Sequence, residues 1–237
     1  PGAWRAAPSA SAGRWSLVAP LFADPPGDTE RAHARALVLL ERHGVLARAA
    51  LPLEGIAGGF ATVYPVLRAM EESGRVRRGH FVDGYEGAQF AFGGVVDRLR
   101  AAREPSDETR IDVLAAADPA QPYGALLPWP APRAEPARPR RAAGCRVVLA
   151  DGEPVLFAER GASRVFSFAT REPHRDAERL AASVRALVHA ARGPRTERRG
   201  LRIERIDGDE AAASPIATVF VEAGFRRGYK GLELDRL

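Results

Sequence analysis

Hydrophobic positions along this chain change period several times, and glycines and prolines mark most of the changes. In DTERAHARALVLLERHG, Ala36, Leu37 and Leu40 form a helical stripe, with Asp28 placed as N-cap and Gly44 as the C′ stop. Before it, GRWSLVAPLF (13–22) reads as an extended apolar stretch, and 47–53 reads as a short second helix. Phe60, Val63, Leu67 and Met70 then recur at spacings of three and four, which puts them on one helix face. Pro65 fits the first turn of that helix if it begins near Ala61 or Thr62, and Gly74 ends it. RVRRGHFV (75–82) reads as a strand, DGYEG (83–87) as a turn, and AQFAF (88–92) as a second strand with Phe90 and Phe92 on one side. Residues 95–103 add a closing helix. The order of helix, short helix, longer helix and hairpin is that of a winged helix.

Prolines 128, 130, 132, 136 and 139 exclude regular structure from the Pro- and Arg-rich stretch that follows, although IDVLAAADP (111–119) has room for a strand. Order returns with CRVVLADGEPVLFAE, a hairpin about Asp151-Gly152, and SRVFSF, a third strand. Leu180, Val184, Leu187 and Val188 mark an amphipathic helix. LRIERIDG is a strand. SPIATVFVEAGF is a helix with Ser214 as N-cap, Pro215 at the first position and Gly224 at the end. GLELDRL is a terminal strand. The pattern therefore predicts an α+β chain: a linker (1–12), a winged helix (13–103), a Pro/Arg-rich connection (104–144) and a β-rich, partly barrel-like α+β domain (145–237).

Composition adds less. At 46% hydrophobic and 27% charged, the 237 residues are globular in character, with enough apolar side chains for a core. The net charge is +5 and Lys230 is the only lysine, so the basicity is arginine. Arginine and alanine together reflect GC-rich codon choice as well as partner chemistry, and basicity alone gives weak support for a polyanion. Cys145 is the only cysteine, which excludes an intrachain disulfide and a cysteine zinc site and fits a reducing, cytoplasmic setting. No apolar run is long enough to span a bilayer, so no membrane partner is expected. The chain begins at Pro1 and its only methionine is Met70, the expectation being a piece of a longer protein.

Candidate chemistry centres on the wing. Arg68 on the longer helix and Arg75, Arg77 and Arg78 at the hairpin can grip phosphate bidentately. Cations also sit favourably at any helix C-terminus, and winged helices mediate protein contacts too. Trp129, between prolines, is the best placed of three tryptophans to stack on a base. The five histidines lack ligand spacing, and no metal site is expected. There is no G-x-x-x-x-G-K-[ST] loop to hold a nucleoside triphosphate. Asp235 lies near Arg226, Arg227 and Lys230, where a surface ion pair is the simpler role, and Gln89 reads as a ladder or surface residue.

ERHGVLARAALPLEGIAGGFATVYPVLRAMEESGRVRRGHFVDGYEGAQFAF resembles the C-terminal part of the large helicase-related (Lhr) family of bacterial superfamily 2 helicases. AAADPAQPYGALLPWP, RVVLADGEPVLFAERG and GLELDRL resemble the end of the same family. The resemblance implies an ATP-dependent 3′–5′ DNA translocase acting on DNA and RNA:DNA hybrids and linked to DNA repair. Its motor, with ATP and magnesium, would lie outside this chain. This chain would be the last winged helix and a β-barrel-like module, in contact with the remaining domains of the parent. The family's C-terminal half is also similar to AlkZ-type DNA glycosylases, and uracil excision is associated with it. Those glycosylases use Gln-apolar-Gln or Gln-apolar-Asp, whereas this chain has Gln89-Phe90-Ala91. Asp235 then becomes the catalytic candidate, its carboxylate stabilising charge on the sugar or orienting water at a flipped base. Three roles follow: helicase accessory region binding nucleic acid, oligomerisation or interaction scaffold, and DNA (uracil) glycosylase module.

Overall fold

A computed structural model describes residues 16–103, 108–133, 138–169, 173–191 and 201–234. The N-terminal lobe is a winged helix. Helix α1 (Asp28–His43) leads into strand β1 (Val45–Ala47), a 3-10 helix (Arg48–Glu54) and helix α2 (Phe60–Glu72). Strands β2 (Arg77–Gly79) and β3 (Gln89–Ala91) form the wing, and helix α3 (Gly93–Ala101) closes it. The antiparallel sheet has the order β1-β3-β2, so β3 is central and β2 is an edge. Its core is built from Leu39, Leu40, Leu46, Leu51, Val63, Leu67, Met70 and Phe90. Each buried leucine of this kind contributes roughly 1.5–3 kcal/mol over leaving it in water.

Sequence periodicity locates α2 well, because Val63, Leu67 and Met70 are its buried residues. The helix ends in a Schellman motif: Gly74 N donates to Glu71 O and Arg75 N to Met70 O, with Gly74 at φ 72°. Other boundaries differ from expectation. Ala19–Phe22 form an exposed 3-10 turn where the sequence suggests an extended apolar stretch over 13–22; residues 13–15 lie outside the described residues. The short second helix begins one residue late and is 3-10 in type, because Val45–Ala47 are taken by pairing with β3. Asp28 is the first helical residue and Gly27 the cap, so Asp28 serves the helix dipole from the first turn. Pro65 lies inside α2, which begins at Phe60. The strand expected over 75–82 is reduced to three residues.

The second lobe is built on a six-stranded sheet ordered β10-β9-β7-β6-β5-β4. Its strands are β4 (Ile111–Ala115), β5 (Arg146–Ala150), β6 (Glu153–Ala158), β7 (Arg164–Ser167), β9 (Arg205–Ile206) and β10 (Asp209–Glu210). All neighbours are antiparallel except β7 and β9. Asp151-Gly152 makes the β5–β6 turn, as the sequence indicates. Strand β8 (Leu201–Ile203) belongs to a separate three-stranded sheet with β11 (Arg226–Gly228) and β12 (Gly231–Leu234) in the order β11-β12-β8. The chain therefore changes sheet at Glu204. Among the described residues the sheets do not close into a barrel, and the fold is α+β.

Alternation along the strands buries both faces. Val148, Leu156 and Val165 pack with Val184, Leu187 and Val188 of α4 (Asp176–Ala191) and with Phe220 of α5 (Ala217–Glu222). Val147, Leu149, Phe157 and Phe166 face the other way, onto Phe168, Tyr123 and Trp129. Helix α5 starts later than expected, at Ala217 with Ile216 as cap, while Ser214 Oγ accepts from Ile216 N at 3.4 Å. Arg179 of α4 is buried and reaches Asp151 at 3.2 Å and Glu153 at 3.4 Å, fastening the helix to the β5–β6 hairpin.

Candidate nucleic-acid interface

The Schellman turn after α2 sends the chain directly into the wing, so its arginines follow the helix end with no intervening loop. Val76 is buried and anchors the turn, while Arg75, Arg77 and Arg78 are exposed around it. Arg77 lies opposite Ala91 and Arg78 opposite Phe90, on the edge strand. None of these three guanidinium groups has a carboxylate partner among the described residues. Arg68 differs. Its Nε donates to Glu72 Oε1 at 3.0 Å, one turn along the same exposed face.

The solvent face of α2 is otherwise short and mixed in charge: Ala61, Pro65, Ala69 and Glu72 accompany Arg68. Such a face offers few side chains for reading base edges, whereas the turn after α2 and the wing strand offer three exposed cations for phosphates. This arrangement can hold a polyanion without selecting its sequence. Between α1 and α2 runs an open groove of about 830 Å³ with an apolar floor of Ala32, Pro65, Val66, Ala69 and Met70, and with Asp28, Glu30, His33 and Arg75 also in its lining.

Gln89 holds the wing loop in place. Its Oε1 accepts from Phe81 N and Val82 N, both at 2.8 Å. Its Nε2 donates to Val82 O at 2.9 Å and Tyr85 O at 3.0 Å. The side chain is buried and its amide is committed to backbone, so its work here is to shape residues 81–85. This goes beyond the ladder or surface role the sequence suggests. No local sequence signal shows it, because all four partners are main-chain atoms. Burial raises the Tyr85 phenol above its ordinary value of 10.0.

Trp129 is placed in the second lobe's aromatic cluster. Its ring packs with Tyr123 (6.1 Å between centroids), Phe157 (5.4 Å) and Phe168 (6.3 Å). The ring is half-buried and engaged with three neighbouring aromatics, so it belongs to the core of the second lobe as well as to its surface. The prolines beside it fix a loop that is folded onto the sheet. Asp235, the catalytic candidate, lies outside the described residues. Arg75 follows the end of α2 directly, and Arg77 and Arg78 alternate to the two faces of β2, Arg77 towards the start of α3 at Gly93 and Arg78 on the side of Phe90; Arg68 lies on α2 and Trp129 in the second lobe. Among the described residues no three His, Cys, Asp or Glu side chains gather as a metal site, and no helix is long and apolar enough to cross a membrane.

Residues 25–111 match the family model of the winged-helix domain of large helicase-related protein. The chain is 44% identical over 234 residues to a Mycolicibacterium smegmatis protein named "Lhr helicase/ probable uracil glycosylase", with 94% of this chain covered. It is 39% identical over 228 residues to the Escherichia coli K12 "Lhr helicase/uracil glycosylase", again with 94% of this chain covered. It spans only 15% and 14% of the lengths of those two relatives. By its winged helix, and by similarity that continues through the second lobe, the chain belongs to the large helicase-related family.

Proposed function

We propose that this chain is an accessory region of an ATP-dependent 3′–5′ DNA helicase involved in DNA repair, and that it binds DNA or RNA:DNA hybrid through its winged helix. The observation that carries the reading is the set of three exposed arginines, 75, 77 and 78, without carboxylate partners at the end of α2. The sparse face of α2 supports sequence-independent contact, which suits a protein that must move along any sequence. ATP and magnesium would be used by the parent's motor, since this chain has no phosphate-cradling loop. The remaining domains of the parent are the natural cover for Leu17, Leu21 and Phe22, which are 84%, 77% and 71% exposed.

The test is fluorescence anisotropy of a labelled duplex and of an RNA:DNA hybrid at several salt concentrations. Replacing Arg77 and Arg78 together by glutamine should weaken binding uniformly across sequences. The slope of log affinity against log salt should fall by about 0.9 for each phosphate that is no longer neutralised. Undiminished binding by that double variant would sink the wing reading.

A second reading is favoured by the names of both relatives, which include uracil glycosylase. In it, Asp235 stabilises the sugar cation or orients water at an extruded uracil. Alkali-labile cleavage at a single uracil, lost in Asp235→Asn, would support it. Intact oligonucleotide with the wild-type chain would remove it for this region.

A further inference from the structure

Strands β11 and β12 form a tight hairpin whose last pair is Gly228 opposite Gly231, so Tyr229 and Lys230 are its two-residue tip. The tip is held firmly. A Cβ on Gly231 would lie 2.1 Å from the carbonyl oxygen of Ile203, and its φ is 123°, so the backbone of β8 approaches as closely as glycine allows. On this fixed tip the Tyr229 ring is 100% exposed. The described tyrosines 64, 85 and 123 are all half-buried. A tyrosine ring gains by leaving water, and from the end of a two-residue turn it can do so only against another molecule.

The surroundings select the molecule. A pocket of about 410 Å³ opens beside the tip, lined by Tyr229, Lys230, Arg205, Glu204 and Glu210 among others. Arg205 is steadied by donating to Gly208 O at 2.8 Å. An apolar protein partner would have to strip water from both signs of charge here. A plain polyanion groove would not carry two carboxylates. A nucleotide uses both. Its phosphate meets the cations, its flat base meets the ring, and the carboxylates can accept from amino groups on a base edge.

We propose that the β11–β12 tip is a stacking site for one unpaired nucleobase, which lies on the Tyr229 ring with its backbone phosphate against Lys230. This rests on the nucleic-acid-binding reading above and adds a second contact, specific for single strands, to the duplex contact of the wing. With only two side-chain torsions to fix, a tyrosine loses little conformational freedom on contact.

The experiment compares the full chain with Tyr229→Ala, Tyr229→Phe, Lys230→Gln and the Arg77→Gln/Arg78→Gln double variant. Anisotropy is read with single-stranded DNA, single-stranded RNA of the same sequence, and a blunt duplex. A 2-aminopurine base reports stacking by its quenching. Tyr229→Ala should weaken single-strand binding by about five- to a hundredfold and abolish the quenching. Tyr229→Phe should retain both, and the thermal unfolding of each should match wild type because the ring is fully exposed. The DNA and RNA arms show which sugar is accepted. If Tyr229→Ala binds and quenches as wild type while the wing double variant loses duplex binding, the hairpin proposal is overturned and the wing reading stands. If the wild-type chain binds none of the three oligonucleotides at low salt, both fall.

Discussion

Replacing Gln89 by methionine keeps the length and volume of a buried side chain and removes its hydrogen bonding. The wild-type amide makes four bonds of 2.8–3.0 Å to the wing loop. At about 0.5–1.5 kcal/mol net for each, the sum is roughly 2–6 kcal/mol. The loop is only half-buried, so its freed N–H and C=O groups can recover water by opening outward, which caps the loss. An overall cost of about 2–4 kcal/mol follows, and it falls first on the loop. Gln89→Glu should fare little better, since a carboxylate still accepts from Phe81 N and Val82 N but faces two carbonyl oxygens, Val82 O and Tyr85 O, with no proton to offer. Hydrogen exchange resolved to single amides is the direct assay. Phe81 and Val82 should exchange much faster in Gln89→Met, and to a smaller degree in Gln89→Glu, while the amides of α2 hold their protection. Chemical denaturation supplies the total. If Phe81 and Val82 keep wild-type protection in Gln89→Met, the claim that Gln89 shapes the wing is wrong.

Three further outcomes are expected. Gly231→Ala should cost about 2–4 kcal/mol, because the new methyl meets Ile203 O and φ is 123°; an unchanged urea midpoint would contradict it. Arg179→Met should cost about 2–3 kcal/mol, less than for a wholly buried pair because Asp151 and Glu153 can regain some water; stability at or above wild type would count against that pairing. Tyr85 keeps its proton in the folded chain at pH values where the unfolded chain has lost it. Its contribution is full below about pH 10 and is lost as pH rises through the folded value, so Tyr85→Phe should flatten the alkaline fall in stability. Parallel alkaline curves for the two proteins would exclude it.

Local patterns were legible where local physics decides. The spacing of Val63, Leu67 and Met70 locates α2, Gly74 locates its end, and Asp151-Gly152 locates a hairpin turn. Pairing across distance was not legible. Val45–Ala47 is a three-residue strand only because β3 lies beside it, and the parallel contact of β7 with β9 leaves no trace in either segment's pattern. The charged part of the interface could be read from RVRRG directly. The roles of Gln89 and Trp129 could not, since one depends on main-chain partners and the other on rings 6 to 39 positions away in sequence.

Leu126 packs into the winged-helix core and Trp129 into the aromatic cluster of the second lobe. Leu127, between them, lies close enough to the wing that a Cβ on Gly84 would meet its Cδ2 at 3.2 Å. Three residues of chain span at most about 11 Å, so the two anchors cannot drift apart. The segment acts as a short spacer bar bolted at both ends. Under the proposed function, the second lobe is therefore kept within a short reach of the wing, and lengthening the bar by even one residue would extend that reach.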